Sequence, residues 1–247
     1  MGLRSLKQYV NGFFITKFIY LLSLITLASS PACYSAAASG PRLVLPENIT
    51  IHSGDSGVPT YIKGENLSSH LDESPFFQTL KKQGRHVEIA YHFLQSWREL
   101  FRIEDPRQEF KKAKATIDDL QFKHIRFQQV FAGIPLWARE VSIHLNSANQ
   151  VYLFQGHYEP TLRNLVTTAG ISGSRAAELA VEAASCGAGK WQVEEKRKYI
   201  FMVDPRTPRL VFRITLVRGL ADREYYFVDA VNGGIVHKIS GTPTPRL

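Results

Sequence analysis

The sequence predicts an α+β chain made of two helix-on-antiparallel-sheet units, and three observations predict it. Apolar and polar residues alternate through Ile125, Phe127 and Gln129, and again through Val141, Ile143 and Leu145, which is the period of half-buried strands. Ahead of them Ala90, Leu94, Trp97 and Phe101 recur at helical spacing, with Phe93 and Leu100 widening the stripe. The same order then returns. An alanine-rich helical stretch over 175–184 precedes strand-like runs, the last two joined by Asn232-Gly233-Gly234, a strong hairpin signal.

At 247 residues the chain holds one or two domains at the usual ~100–200 residues each. Its 44% hydrophobic and 21% charged residues mark globular material and exclude a disordered or fibrous chain. Residues 1–38 read as a secretory signal peptide. Arg4, Lys7 and Lys17 precede an apolar run over 18–28, small residues follow at 35–39, and the first acid is Glu47. The run is shorter than the ~20 apolar residues of a spanning helix, so the expectation is export to a periplasmic or extracellular space with no membrane span once the signal is removed. An uncleaved anchor is the alternative. Ser30-Pro-Ala-Cys33 faintly resembles a lipobox, but Ser30 stands where Leu is usual, so a lipid anchor at Cys33 is disfavoured. If Cys33 leaves with the signal, Cys186 is a single thiol and a packed core must supply the stability.

Removing the three signal cations takes the formal charge from +8 to +5. The remaining basic clusters (Lys81-Lys82, Lys111-Lys112, Lys196-Arg-Lys198) have acids close by, so they read as solvated surface with no nucleic-acid patch. A mild attraction for an acidic partner is left.

Residues 39–72 are rich in Ser, Gly and Pro and read as a polar lead-in. Within them Asn48-Ile-Thr50 and Asn66-Leu-Ser68 fit the glycosylation pattern, which matters only in a eukaryotic secretory route. The first unit spans 73–160. Its pattern turns helical from Ser74, the main helix covers 86–101, and Asp105-Pro106 ends it. Strands follow at 110–118, 122–131, 140–146 and 151–156, with turns at 118–121 and 147–149. Gly133 and Pro135 interrupt the alternation as a bulge or bend would. A linker over 161–170 leads to the second unit, 171–241. Ser172 or Ser174 caps its helix and Gly187 and Gly189 end it. Strands are expected at 199–203, 210–217, 225–231 and 235–239, before a disordered tail at 242–247.

The run His124-Ile-Arg-Phe-Gln-Gln-Val-Phe-Ala-Gly-Ile-Pro-Leu-Trp137 resembles the hallmark of the fungalysin/thermolysin propeptide (FTP) domain. Phe131 replaces the usual Tyr and Leu136 the usual Val. Leu100-Phe-Arg-Ile-Glu-Asp-Pro106 resembles the turn that leads into that domain's sheet. Tyr226-Phe-Val-Asp-Ala-Val-Asn-Gly-Gly-Ile-Val236 resembles the closing hairpin of a PepSY domain, with Asn232 in place of Thr. Together the resemblances cover 76–240. They imply a cystatin-like FTP unit followed by a PepSY unit: the prodomain of a thermolysin-like metallopeptidase without its catalytic domain. Such a prodomain does no chemistry. The expected role is to bind, inhibit or assist the folding of a thermolysin-like metallopeptidase, here in trans because no protease follows. The alternatives are the truncated half of a precursor and a non-catalytic envelope binding or structural module.

The search for chemistry supports a non-enzyme with no metal and no cofactor. His-Glu-x-x-His is absent. His86 and His92 flank Glu88 but lie six apart, about 600° around a helix, and read as surface residues. There is no Gly-x-Ser-x-Gly elbow, and Gly187-Ala-Gly189-Lys190 is too short for a phosphate loop. Asp118-Asp119 reads as a solvated turn. The candidate partner-binding residues are Gln129, Phe131, Gly133, Ile134, Pro135 and Trp137. On one reading they are architecture: Gly133 gives backbone freedom, Pro135 removes a ladder donor and Trp137 offers an apolar face. On the other they dock a protease.

Overall fold

The computed structural model describes residues 46, 48–160, 162–163, 165–184, 190–204, 207–219 and 222–241. The expected signal peptide 1–38 with Cys33, the lone Cys186 with Gly187 and Gly189, and the tail 242–247 lie outside the described residues.

Ser74 accepts a hydrogen bond from the Phe77 N–H at 3.4 Å, and Pro75 fills the first turn of α1 (Pro75–Lys82). Next come α2 (His86–Ser96), α3 (Arg98–Phe101) and α4 (Pro106–Glu109). The helix expected over 86–101 breaks at Trp97. Its apolar stripe survives the break, because Ala90, Phe93, Leu94, Trp97 and Phe101 are all fully buried. Phe93, Trp97, Phe101 and Phe154 stack in succession at ring separations of 5.2, 6.2 and 4.5 Å. Arg102, at φ 54°, ends α3 in the left-handed region. Asp105, expected to end the helix, starts one instead: its carboxylate accepts from the Arg107 N–H at 2.9 Å and caps α4.

Part of the stretch read as a polar lead-in is structured instead. β1 (Thr50–Ser53) pairs with β2 (Pro59–Lys63), and β2 pairs with β6 (Val151–Gly156) at Tyr61–Gln155, Ile62–Phe154 and Lys63–Leu153. Val58, Ile62 and Leu67 are buried. The five-residue alternation in β2 is too short to stand out among its Gly and Ser neighbours. It forms because it completes the ladder along β6, a tertiary effect.

The remaining strands are β3 (Phe110–Ile117), β4 (Lys123–Phe131) and β5 (Ile134–Leu145), all antiparallel, and β5 pairs with β6. Ile125, Phe127, Val141, Ile143 and Phe154 form the buried face against the helices, giving an α+β unit.

In the second unit Ser172 caps α5 (Gly173–Ala184), its hydroxyl accepting from the Arg175 N–H at 3.1 Å. Ala176, Ala177, Ala180 and Ala184 bury a slim face on β7 (Gln192–Asp204), β8 (Thr207–Arg218) and β9 (Asp222–Asp229); β10 (Ile235–Ser240) completes the antiparallel set. β7 starts at Gln192 rather than at 199. Its charged first half is held by cross-strand ion pairs, Glu195 with Arg213 and Glu194 with Arg223. Asp229 shapes the last turn by accepting from the N–H groups of Val231 (2.8 Å) and Asn232 (3.1 Å), with Gly233 at φ 81°. Among the described residues no helix is long and apolar enough to cross a membrane.

Candidate functional site

The segment carrying the candidate partner-binding residues is a hairpin whose second strand is shared between the two units. β4 ends at Phe131, which pairs with Ile134, while Val130 pairs with Pro135. The two residues between them, Ala132 (φ 49°) and Gly133 (φ 78°), both have positive φ, as a tight two-residue hairpin requires. The expected bend at Gly133 and Pro135 is therefore a full chain reversal. A Cβ on Gly133 would meet nothing within 4 Å, so this tip faces open space.

β5 then leaves β4. Pairing resumes only at Glu140 opposite Gln128, and Leu136 to Arg139 form the excursion, with Ala138 at φ 55°. The Gln128 side chain supports it: Nε2 donates to the carbonyls of Leu136 (2.7 Å), Arg139 (2.9 Å) and Gln129 (3.0 Å). On the far side, Leu136 pairs in parallel with Ile200 of β7. Both side chains are fully buried. That pairing joins the strands of both units into one ten-stranded sheet among the described residues.

Trp137, half-buried, lies on the face of the second sheet opposite α5. Its ring meets Tyr199 edge-on at 5.3 Å and Phe227 at 5.2 Å, with the Arg213 guanidinium 5.0 Å from its centroid. Arg213 also lies 5.2 Å from the Tyr199 ring and 5.7 Å from Tyr225. Gln129 is only 2% exposed. It accepts from the Glu159 N–H at 2.8 Å and donates to the Glu159 carbonyl at 2.7 Å. The Glu159 carboxylate in turn accepts from Arg139 at 2.7 Å.

The six candidates therefore separate. Gln129 and Trp137 face inward, committed to Glu159 and to the second unit. Phe131, Gly133, Ile134 and Pro135 make the hairpin tip, and Phe131 and Val130 line a shallow cavity of about 310 Å³ with Arg102, Glu104 and Arg163. The residues that sequence reasoning passed over are Arg139, Glu159 and Arg213. Glu159 is bound by Gln129 and Arg139 across 30 and 20 residues, and Arg213 meets Trp137 across the two units, so no local spacing announces them.

A second cluster also went unrecognised. His124 and His144 face each other across β4 and β5, with Nδ1 to Nδ1 at 2.6 Å. His124 Nε2 lies 3.0 Å from the Asp118 carboxylate. The N–H of Phe122 and the His124 contact hold the Asp118 carboxyl below its ordinary range. Burial, reinforced by the neighbouring His124, pulls His144 down to about 4. Its Nε2 is buried without a partner. His86 and His92 are half-buried rather than on the surface, and His92 packs 5.3 Å from Phe76; burial lowers both. Among the described residues no group of three or more His, Cys, Asp or Glu is placed to hold a metal ion.

The family model described as Fungalysin/Thermolysin Propeptide Motif matches residues 108–158, which covers β3 to β6 and the hairpin. Neutral protease B of Bacillus subtilis (strain 168) is 25% identical over 197 residues, 74% of this chain and 36% of the relative. Bacillolysin of Brevibacillus brevis is 22% identical over 162 residues (61% and 31%), and thermolysin of Bacillus caldolyticus 24% over 168 residues (64% and 31%). This chain spans about a third of the length of these relatives. Among solved structures, the Bacillus megaterium YpeB C-terminal domain aligns with a TM-score of 0.36 and 14% identity, covering 81% of this chain and 92% of that one. The chain thus carries the propeptide motif, is homologous to the propeptide regions of thermolysin-like proteases, and is prodomain-like.

Proposed function

We propose that this protein is an exported prodomain-like partner of a thermolysin-like metallopeptidase, which it binds as an inhibitor or folding helper, acting in trans when supplied as a separate chain. The observation that carries this reading is the propeptide motif over residues 108–158. It falls on the part of the fold that ends in the open Phe131–Ile134 tip. Binding to native peptidase in preference to its unfolded chain would stabilise the enzyme by mass action, and a bound prodomain excludes substrate. The second unit, one helix on an antiparallel sheet closed by the Asp229 turn, is read as a PepSY unit, and residues 1–38 as the signal that exports the chain.

The test is to add residues 39–247 to a mature thermolysin-like metallopeptidase and follow peptide hydrolysis. Dose-dependent inhibition, with the added chain intact at early times, supports the proposal. Unchanged hydrolysis with rapid digestion of the chain refutes it for that enzyme.

A further inference from the structure

The edge of the first sheet has an unusual composition. β3 pairs with β4 and, among the described residues, with no other strand. The Tyr91 hydroxyl donates to the Phe110 carbonyl at 2.8 Å and accepts from the Lys112 N–H, and beyond Lys112 the second edge has no strand beside it. After Phe110 every one of its side chains is exposed. Ala115 is exposed although it sits opposite the buried Ile125. Ile117 is 55% exposed, and Leu120, in the turn beyond, 74%.

The charge along this edge has one sign. Lys111, Lys112 and Lys114 fall within four consecutive positions. Lys111 donates to the Arg107 carbonyl, and among the described residues Lys112 and Lys114 have no acidic partner. Lys114 also stands directly opposite Arg126 on β4, so like charges are paired across the ladder. Arg126 is itself paired with Glu140 at 3.7 Å. Lysines on an edge strand repel an identical edge and so keep two copies of this chain from pairing there. The same field attracts a strand of opposite charge within the ~10 Å screening distance of ordinary salt.

We propose that β3 is a docking edge for an extended acidic segment of a partner protein, which adds as a further strand and sets its carboxylates against Lys112 and Lys114. Main-chain hydrogen bonds supply the affinity of such an addition, and side chains supply the selection. The exposed Ala113, Ala115 and Ile117 give the incoming strand small apolar positions to cover. Lys112 and Lys114 stand opposite Phe127 and Arg126, four and five residues along β4 from Phe131, and this inference stands whether or not the partner is a metallopeptidase.

A bulge between Lys112 and Lys114 sets them opposite Phe127 and Arg126, on different faces. The probe is therefore a short fluorescent peptide of glutamates and valines with glutamate on both faces, titrated against the full chain with anisotropy as the readout. Saturable binding that weakens at high salt is expected. The double variant K112E/K114E, still folded by circular dichroism, should lose about tenfold in affinity, the size of two reversed exposed charge contacts. Lys82→Glu, an exposed cation elsewhere, should change nothing. A peptide of the same sequence N-methylated on alternate residues should fail to bind, because it cannot complete a ladder. Absence of binding, or indifference to K112E/K114E, overturns the proposal. Equal binding by the N-methylated peptide overturns strand addition and leaves only charge adhesion.

Discussion

Replacing Trp137 by Ala should loosen the junction between the two units rather than empty either core. The ring makes edge-on contacts with Tyr199 at 5.3 Å and Phe227 at 5.2 Å, each worth ~0.5–1.5 kcal/mol beyond area burial. The Arg213 guanidinium at 5.0 Å adds about 0.5–1 kcal/mol at a partly exposed site. Truncating a fully buried Trp costs ~3–5 kcal/mol, and this one is half-buried, so a loss of about 2–3 kcal/mol is consistent with both routes. Trp137→Phe, which keeps an edge-on ring, should lose less than half as much. The two remaining tryptophans report on each side: Trp97 is buried in the first core, and Trp191 donates from Nε1 to the Ala184 carbonyl at 2.9 Å in the second. Urea titration followed by circular dichroism and by the indole N–H resonances should show the parent unfolding in one step. In Trp137→Ala the Trp97 and Trp191 signals should disappear at separate midpoints. A loss below ~0.5 kcal/mol with both signals still coincident would refute the assignment of Trp137 as the link.

Gln129→Ala should cost about 2–3 kcal/mol, because it strands the Glu159 N–H and carbonyl in a site that is almost fully enclosed; urea midpoints at constant slope measure it. Acid should weaken the fold through His144. Its pKa is held at about 4 against an ordinary 6.5, so the folded state binds fewer protons in that window, and stability is lost as pH falls from about 6.5 towards 4. The full shift corresponds to about 3 kcal/mol; discounting for the ring's partial exposure leaves ~1–2 kcal/mol. His144→Gln should flatten the urea-midpoint profile between about pH 7 and pH 5 by that amount, and an unchanged slope would disprove it.

The legible parts of this fold are those whose signal is local. The alternation in 122–131 and the stripe Ala90, Phe93, Leu94, Trp97, Phe101 rest on periodicity alone, and both are buried where periodicity puts them. The Asn232-Gly233 turn rests on backbone chemistry, and Gly233 has the positive φ the turn needs. β2 and the first half of β7 were illegible for opposite reasons. β2 is too short and too flanked by Gly and Ser to show a period. Residues 194–198 of β7 are charged on both faces, and only partners on β8 and β9, Arg213 and Arg223, make a strand of them. The candidate site was found by its residues but not by its geometry. Gly133 signals a turn, yet nothing local says that Leu136 pairs with Ile200, 64 residues away, or that Arg213 lies beside Trp137.

That geometry divides what a docking variant can be expected to do. Trp137 and Gln129 hold the protein to itself, so changing either should reduce peptidase inhibition only by reducing the folded fraction. The tip is different. Ile134 is half-exposed, it sits beside a glycine that meets nothing within 4 Å, and its one ladder partner is Phe131 at the hairpin's end. Ile134→Asp therefore removes little buried area and should cost less than ~1 kcal/mol in a urea titration, as exposed substitutions usually do. If the tip meets the peptidase, the same change puts a charge into an apolar contact, and inhibition should weaken by about tenfold or more at unchanged stability. Measured together, the urea midpoint and the inhibition constant separate the two roles. Equal inhibition by Ile134→Asp and the parent chain would place the peptidase contact elsewhere on the surface, away from the residues that carry the sequence resemblance.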